Sequence, residues 1–369
     1  MSPDLSQRDG GKKSGGGKLR ASLVGRWLAL GFFAAWSAVG ASAAQLDVFE
    51  VEGKTLRGNP LGDRPERRVA AFLPDGVKAD VALPLVIYLP GWGGSSEDFI
   101  ANGQESWMNK VVDQLAADHH PVRIAVIDGR SRYGGSQFLD STATGNYANY
   151  VADEIQPVLE ARYAVSADRP ARLIAGHSSG GYGAVVLAIN RHEKFDAVVG
   201  LSPDSNFEVT HKPLVEQPAV QAVRRAELEA AMAAPASAEM PANGLVRLIM
   251  GLCANYTPIA SQPGRFEWLY DDEGHWRPEV WQRWIALDPL TLVQKNPEAF
   301  APGQRVYLDG AEHDEFGANI GAQKIHEVLQ GRSSPETFYE PPGHHGDHLD
   351  RRLIRGLEWV LEQGAAAAK

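Results

Sequence analysis

Sulfur is scarce in this chain: Cys253 is the only cysteine among 369 residues, which excludes a disulfide framework and any cysteine-built metal cluster. Long apolar runs are scarce too. After residue 43 none approaches the roughly 20 residues that a membrane span requires. Positive charge is outnumbered, with 36 Lys and Arg against 46 Asp and Glu and a net charge of -10. An acidic surface is a poor partner for nucleic acid or anionic lipid. Stability therefore has to come from packing, and a hydrophobic fraction of 44% is ordinary for a globular chain.

Much of the early sequence is basic or apolar. Lys12, Lys13, Lys18, Arg20 and Arg26 flank or precede an apolar stretch over 27–39, which is followed by Ala41-Ser42-Ala43. A basic region, a short apolar region and a small-residue cleavage site are the parts of a secretory signal peptide. We expect residues 1–43 to be removed, leaving a secreted or periplasmic protein with no stable membrane insertion. Six basic and two acidic residues leave with that segment, so 30 remain against 44, a net charge of -14.

Short branched apolar runs over 83–89, 122–127, 172–175, 195–201 and 305–308 alternate with helix-length segments over 106–118, 147–162, 183–191 and 349–363. This rhythm predicts an α/β fold, with a mostly parallel central sheet covered by helices on both faces. Runs over 46–51 and 67–73 read as flanking antiparallel strands. Between 204 and about 302 the rhythm lapses into Ala- and Pro-rich sequence carrying Trp268, Tyr270, Trp276, Trp281 and Trp284. We read it as a lid-like insertion over the carboxyl edge of the sheet, where binding loops gather. Aromatic side chains dominate cores, so Trp281 and Trp284 are assigned to the insertion's own core and Trp276 to the cleft. One domain is expected over 44–363, with 364–369 a disordered tail.

The sharpest motif is Gly176-His177-Ser178-Ser179-Gly180, entered from an apolar strand and left into an apolar helix. Gly-x-Ser-x-Gly in that context is a nucleophile elbow, the turn that exposes the serine of an α/β hydrolase. Ser178 is the candidate nucleophile. The acid and the histidine should follow in chain order. Asp309, at the end of the 305–308 strand, and Asp314, on the loop beyond it, both qualify as the acid. A short strand over 337–340 then leads to His344, His345 and His348, and spacing alone selects neither acid nor base. Two backbone donors are needed for the oxyanion. The Ser179 amide follows the nucleophile, and the Trp92 amide lies in the glycine-rich loop Pro90-Gly91-Trp92-Gly93-Gly94 after an apolar strand.

These residues resemble a known family. The run from Gly176 to Ala184, the Arg132-Tyr133-Gly134-Gly135-Ser136-Gln137 loop with Thr144-Gly145, Leu252-Cys253-Ala254-Asn255-Tyr256, and Leu308-Asp309-Gly310 through Asp314-Glu315-Phe316 are similar to the esterase D, feruloyl esterase and enterochelin esterase family of α/β hydrolases. The resemblance runs from about Leu83 to the C-terminal helix. It implies the α/β-hydrolase fold, Ser178 as nucleophile, Asp314 as acid and, from its Gly-x-His segment, His345 as base. It also implies that Tyr133, Ser136 and Gln137 line the cleft. Two features depart from the family pattern: the histidine is doubled, and Pro90 stands where many members have histidine.

The expected function is serine carboxylic-ester hydrolysis through an acyl-enzyme, without cofactor or metal, on a small-molecule or glycan-linked ester. An acyltransferase on the same scaffold, or a non-catalytic exported binding module, are the alternatives. A metal site at His345, Asp347 and His348 is disfavoured because Gly343 occupies the position where a further histidine ligand is needed. Asp271-Asp272-Glu273 with His275 reads as a solvated acidic loop.

Overall fold

The structure, a computed structural model, describes residues 44–234 and 240–367, with side chains through 363. The expected signal peptide lies outside these residues. Eight strands form one sheet: β1 (Gln45–Glu52), β2 (Glu66–Leu73), β3 (Leu85–Leu89), β4 (Arg123–Val126), β5 (Arg172–His177), β6 (Ala197–Leu201), β7 (Arg305–Asp309) and β8 (Glu336–Tyr339). Their order is β1-β2-β4-β3-β5-β6-β7-β8. β2 pairs antiparallel with β1 and β4, and β4, β3, β5, β6, β7 and β8 run parallel. This is the α/β-hydrolase fold.

The central strands are apolar at nearly every position, because a parallel sheet is covered on both faces. Every residue of β3, β6 and β7 is buried. Successive side chains point to opposite faces, which divides the core in two. On one side Ile87, Ile174, Val198 and Val306 meet α2 (Ser179–Asn190) and α4 (Ala318–Leu329). On the other, Val86, Leu173, Val199 and Tyr307 meet α1 (Trp107–Ala117) and α5 (Leu349–Ala367). The last helix continues four residues past 363, where the composition had suggested that order ends. Alanine has the highest helix propensity of all residues, and α5 keeps its backbone bonds through that run.

The 204–302 segment packs directly on the sheet domain. Its helix α3 (Gly244–Tyr256) starts at Asn243, whose side chain accepts from the Leu245 and Val246 amides. Ile249, Met250, Cys253, Tyr256, Trp281 and Trp284 form a third core with Tyr133 and Tyr182 of the main domain. Trp276 stands edge-on to Tyr270, with ring centroids 5.4 Å apart, and tilts against Trp281. Asp271 closes the exposed turn before it, accepting from the Glu273 and His275 amides. Among the described residues no helix is long and apolar enough to cross a membrane.

The parallel strands share one direction, so the chain leaves β3, β5, β6, β7 and β8 at a common edge. That edge gathers the 90–94 loop, Ser178, the residues from Ser202 onward, the 310–317 loop and the 340–348 loop.

Candidate active site

Ser178 sits between β5 and α2 with φ 57° and ψ -122°. A side-chain-bearing residue rarely adopts positive φ, and one that does is held there by its surroundings. Here the Ser178 amide donates to the Leu201 carbonyl at 2.9 Å, and the Tyr182 amide donates to the Ser178 carbonyl at 2.8 Å. Two glycines make the turn possible. A Cβ on Gly180 would lie 1.9 Å from the Leu89 carbonyl oxygen, and one on Gly176 would lie 2.2 Å from the Gly180 carbonyl oxygen. Only hydrogen on those α-carbons lets β3, β5 and α2 approach so closely.

The turn presents Ser178 to a cavity of about 110 Å3. Trp92, Ser178, Ser179 and Asp204 bound it on one side, His211, Leu214, Leu248 and Leu252 of the insertion on the other, with Phe316 at the 310–317 loop. The Trp92 ring is wedged against three glycines: a Cβ on Gly134, Gly135 or Gly251 would come within 2.7 Å, 2.5 Å or 2.4 Å of it. A bond from the Gly93 amide to the Gly134 carbonyl, 3.1 Å, fixes the same loop. The Ser179 amide belongs to the first turn of α2, where N–H groups have no intrahelical acceptor and attract negative charge.

His345 is held on every side. Its Nδ1 lies 2.8 Å from Asp314 Oδ2, and its amide donates to Glu315 Oε2 at 3.1 Å. Its carbonyl accepts from Arg352 Nη1 at 2.9 Å and from His177 Nε2 at 3.0 Å. Because a carbonyl only accepts, the His177 proton is on Nε2. Burial, reinforced by the nearby His345 and Arg352, pushes the His177 pKa down to about 3, so that ring is neutral. The Phe316 ring stands edge-on to His345 at 4.8 Å, and the His177 ring is 4.7 Å away.

Two carboxylates were open for the acid, and the structure separates them. Asp314 touches the imidazole. Burial would raise its pKa, but the His345 contact, a bond from Ser202 and the Ala318 amide outweigh that and hold it below the ordinary value. Asp309 is buried against Arg352, at 2.7 Å to Nη2 and 3.0 Å to Nε, and accepts from the Ser202 amide. Arg352 in turn links it to the His345 carbonyl. The exposed His344 has its Nδ1 3.1 Å from the His313 carbonyl, and His348 begins α5 by accepting from the Arg352 amide. Asp347 accepts from the His344 amide. The His344, His345 and Asp347 side chains therefore turn to different partners. Among the described residues, the ligand-type atoms that do gather, within 4.8 Å of one another, are those of exposed Asp271, Glu273 and His275, which the turn already employs.

The expected cleft residues are placed differently. Tyr133 is buried behind Trp92, edge-on to Phe266 at 5.9 Å. Ser136 is buried and donates to the Gly129 carbonyl. Gln137 is also buried, and its Nε2 donates to Asp204 Oδ2 at 3.2 Å and contacts the Tyr256 hydroxyl at 2.6 Å. These three support the wall from behind, and Trp276 lies in the insertion's aromatic cluster. None lines the Ser178 cavity. The reason is size: large rings beside a Gly-rich loop fill the space that the glycines leave. Sequence reasoning missed Asp204, His211 and Arg352. Asp204 lies three residues beyond the carboxyl end of β6, a position the strand-end rule could have flagged. No pattern in the sequence marks the other two.

The Putative esterase family model matches residues 64–349. The chain belongs to that family. It is thus an esterase with the α/β-hydrolase fold. Solved structures similar to this esterase include a ferulic acid esterase, with TM-score 0.55, 16% identity, and coverage of 87% of this chain and 99% of that one. The S-formylglutathione hydrolase of Agrobacterium tumefaciens matches with TM-score 0.54, 16% identity, and coverage of 87% and 96%. FphF, a fluorophosphonate-binding serine hydrolase of Staphylococcus aureus, matches with TM-score 0.53, 14% identity, and coverage of 86% and 98%. At these identities the likeness carries the fold of this esterase.

Proposed function

We propose that this chain is an exported carboxylic-ester hydrolase that works through an acyl-enzyme on Ser178. The observation that carries the reading is the juxtaposition at one sheet edge of a serine on a strained elbow and a histidine oriented by a buried carboxylate at 2.8 Å. With Nδ1 committed to Asp314, Nε2 of His345 is the nitrogen left for proton transfer. Ser178 Oγ attacks the ester carbonyl carbon while its proton passes to His345 Nε2. The Trp92 and Ser179 amides stabilise the oxyanion, and the alcohol leaves with the proton from His345. Water, deprotonated by His345, then releases the acid from Ser178. In the resting structure the Ser178 hydroxyl donates to Asp204 Oδ1 at 3.5 Å, a weak bond on a side chain with a single rotor. Catalytic hydrogen bonds commonly tighten only when substrate binds.

Hydrolysis of a chromogenic short-chain ester tests the reading, with fluorophosphonate labelling and mass analysis of the labelled peptide. Label on Ser178, and a loss of about 10^4-fold or more in kcat for Ser178→Ala, are expected. Full activity in Ser178→Ala overturns the assignment. Export is tested by N-terminal sequencing of protein recovered outside the cytoplasm; the expected start is close to Ala44, and an intact Met1 overturns it.

A further inference from the structure

One wall of the Ser178 cavity is polar, and the mechanism above leaves it without work. Asp204 reaches the site from the end of β6, with Oδ1 3.5 Å from Ser178 Oγ. Its Oδ2 accepts from Ser179 Oγ at 3.1 Å and from Gln137 Nε2 at 3.2 Å. A carboxylate has about four acceptor sites, so capacity remains on the face toward Ser178. Beside it lies His211, with Nε2 4.0 Å from Asp204 Oδ2.

His211 is 4% exposed, and among the described residues neither ring nitrogen has a hydrogen bond of good geometry. Its ring is fixed: it stacks on Phe207 at 4.3 Å with 19° between planes, and Trp284 meets it edge-on. A rigid, buried imidazole whose ring nitrogens lack well-formed hydrogen bonds is costly to bury, so the site suits a group that satisfies it. Burial pushes the His211 pKa below its usual value. The neutral ring offers one donor and one acceptor, whereas Asp204 only accepts.

We propose that Asp204 and His211 form a subsite for a hydroxyl group that the substrate carries next to its ester. A hydroxyl donates to the carboxylate and accepts from the imidazole at once. An ammonium group has no lone pair to offer the ring N–H, and a carboxylate is repelled by Asp204. With His211 Nε2 4.0 Å from Asp204 Oδ2 and free acceptor capacity on Asp204 Oδ1, the two groups are close enough for one hydroxyl to bridge them at ordinary hydrogen-bond length. The position of that hydroxyl is bounded as well. The attacked carbon lies about 3–3.5 Å from Ser178 Oγ, and Asp204 Oδ1 is 3.5 Å from the same oxygen. The hydroxyl is therefore roughly two to four bonds from the carbonyl carbon, given hydrogen-bond reach. A 2- or 3-hydroxyacyl group meets that limit, and so does a vicinal hydroxyl on the alcohol, as in a polyol ester. Leu214, Leu248 and Leu252 on the insertion wall take the remaining carbon.

The inference rests on the acyl-enzyme reading, and its test separates the two. Wild-type kcat/KM is measured on p-nitrophenyl 3-hydroxybutyrate against p-nitrophenyl butyrate, and on glyceryl monobutyrate against propyl butyrate. The expected preference for the hydroxylated member is about tenfold or more in one pair, which also identifies the side of the ester being read. His211→Phe retains the stack on Phe207 and brings that ratio close to one. Asp204→Asn provides a second variant, with the same direction expected. Ratios near one in both pairs of the wild type, or a ratio that survives both substitutions, overturn the subsite and show that the wall holds water or serves packing only. Ser178 labelling in that case leaves the esterase mechanism standing. Absence of both label and turnover overturns the mechanism, and the subsite with it.

Discussion

Asp309 and Asp314 are five residues apart and both buried, yet they do different work. Asp314 contacts the imidazole at 2.8 Å, whereas Asp309 neutralises Arg352. Asp314→Asn is expected to lower kcat by about 10^4-fold with the melting temperature little changed, as steady-state kinetics and thermal denaturation will show. Asp309→Asn strands a buried guanidinium and should cost about 3–5 kcal/mol of stability, read from urea unfolding. Spacing could not choose between them because both follow the same strand and both are followed by turn-forming residues. The choice is made by where the 340–348 loop returns, a contact about 30 residues away in the chain. The elbow at Ser178, by contrast, was legible, since Gly-x-Ser-x-Gly between an apolar strand and an apolar helix is a local pattern. Its glycine requirement is equally local: Gly180→Ala, with a Cβ 1.9 Å from the Leu89 carbonyl, is expected to abolish soluble folded protein.

The strands and main helices were legible because a buried parallel sheet writes itself as short branched runs. The pieces that lock the elements together were not. Arg352, one of several arginines in α5, binds Asp309, Ser202 and the His345 carbonyl, thereby tying the last helix to β7 and to His345. Arg352→Met should destabilise the protein by about 3–5 kcal/mol, and the double variant with Asp309→Leu should recover most of it, because an apolar pair can replace a buried ion pair. Turnover should stay reduced in the double variant, since His345 has lost a backbone support. His177 adds a pH dependence to the same junction. Its folded pKa of about 3 is below its unfolded value of about 6.5, so the unfolded chain binds the proton first on acidification. The stability held above pH 6.5 is then lost as pH falls toward 3. Urea unfolding at pH 7 and pH 5 should show up to about 2 kcal/mol more loss in wild type than in His177→Phe.

At the scale of the whole molecule, the sheet domain supplies Ser178, Asp314 and His345 from three strand ends, and the 204–302 insertion supplies the opposite wall of the cavity. The insertion was recognisable as a lapse in rhythm, but the facing of its residues was not. Trp276 went to the aromatic cluster and His211 to the cavity, because three-dimensional packing of Trp281, Trp284 and Phe207 decides which side chains are displaced toward the site. Substrate selection should accordingly follow the insertion and bond-making the sheet domain. Cys253 offers a way to watch the two separately. It lies fully buried in α3, in the same helix whose Gly251 abuts Trp92, and burial pushes its thiol pKa well above the usual value. The chain's one sulfhydryl is thus a chemical clock set into the cavity wall: a thiol reagent can reach it only when α3 lifts. If labelling outpaces global unfolding, the wall opens by itself, and a covalently occupied Ser178 should slow that clock.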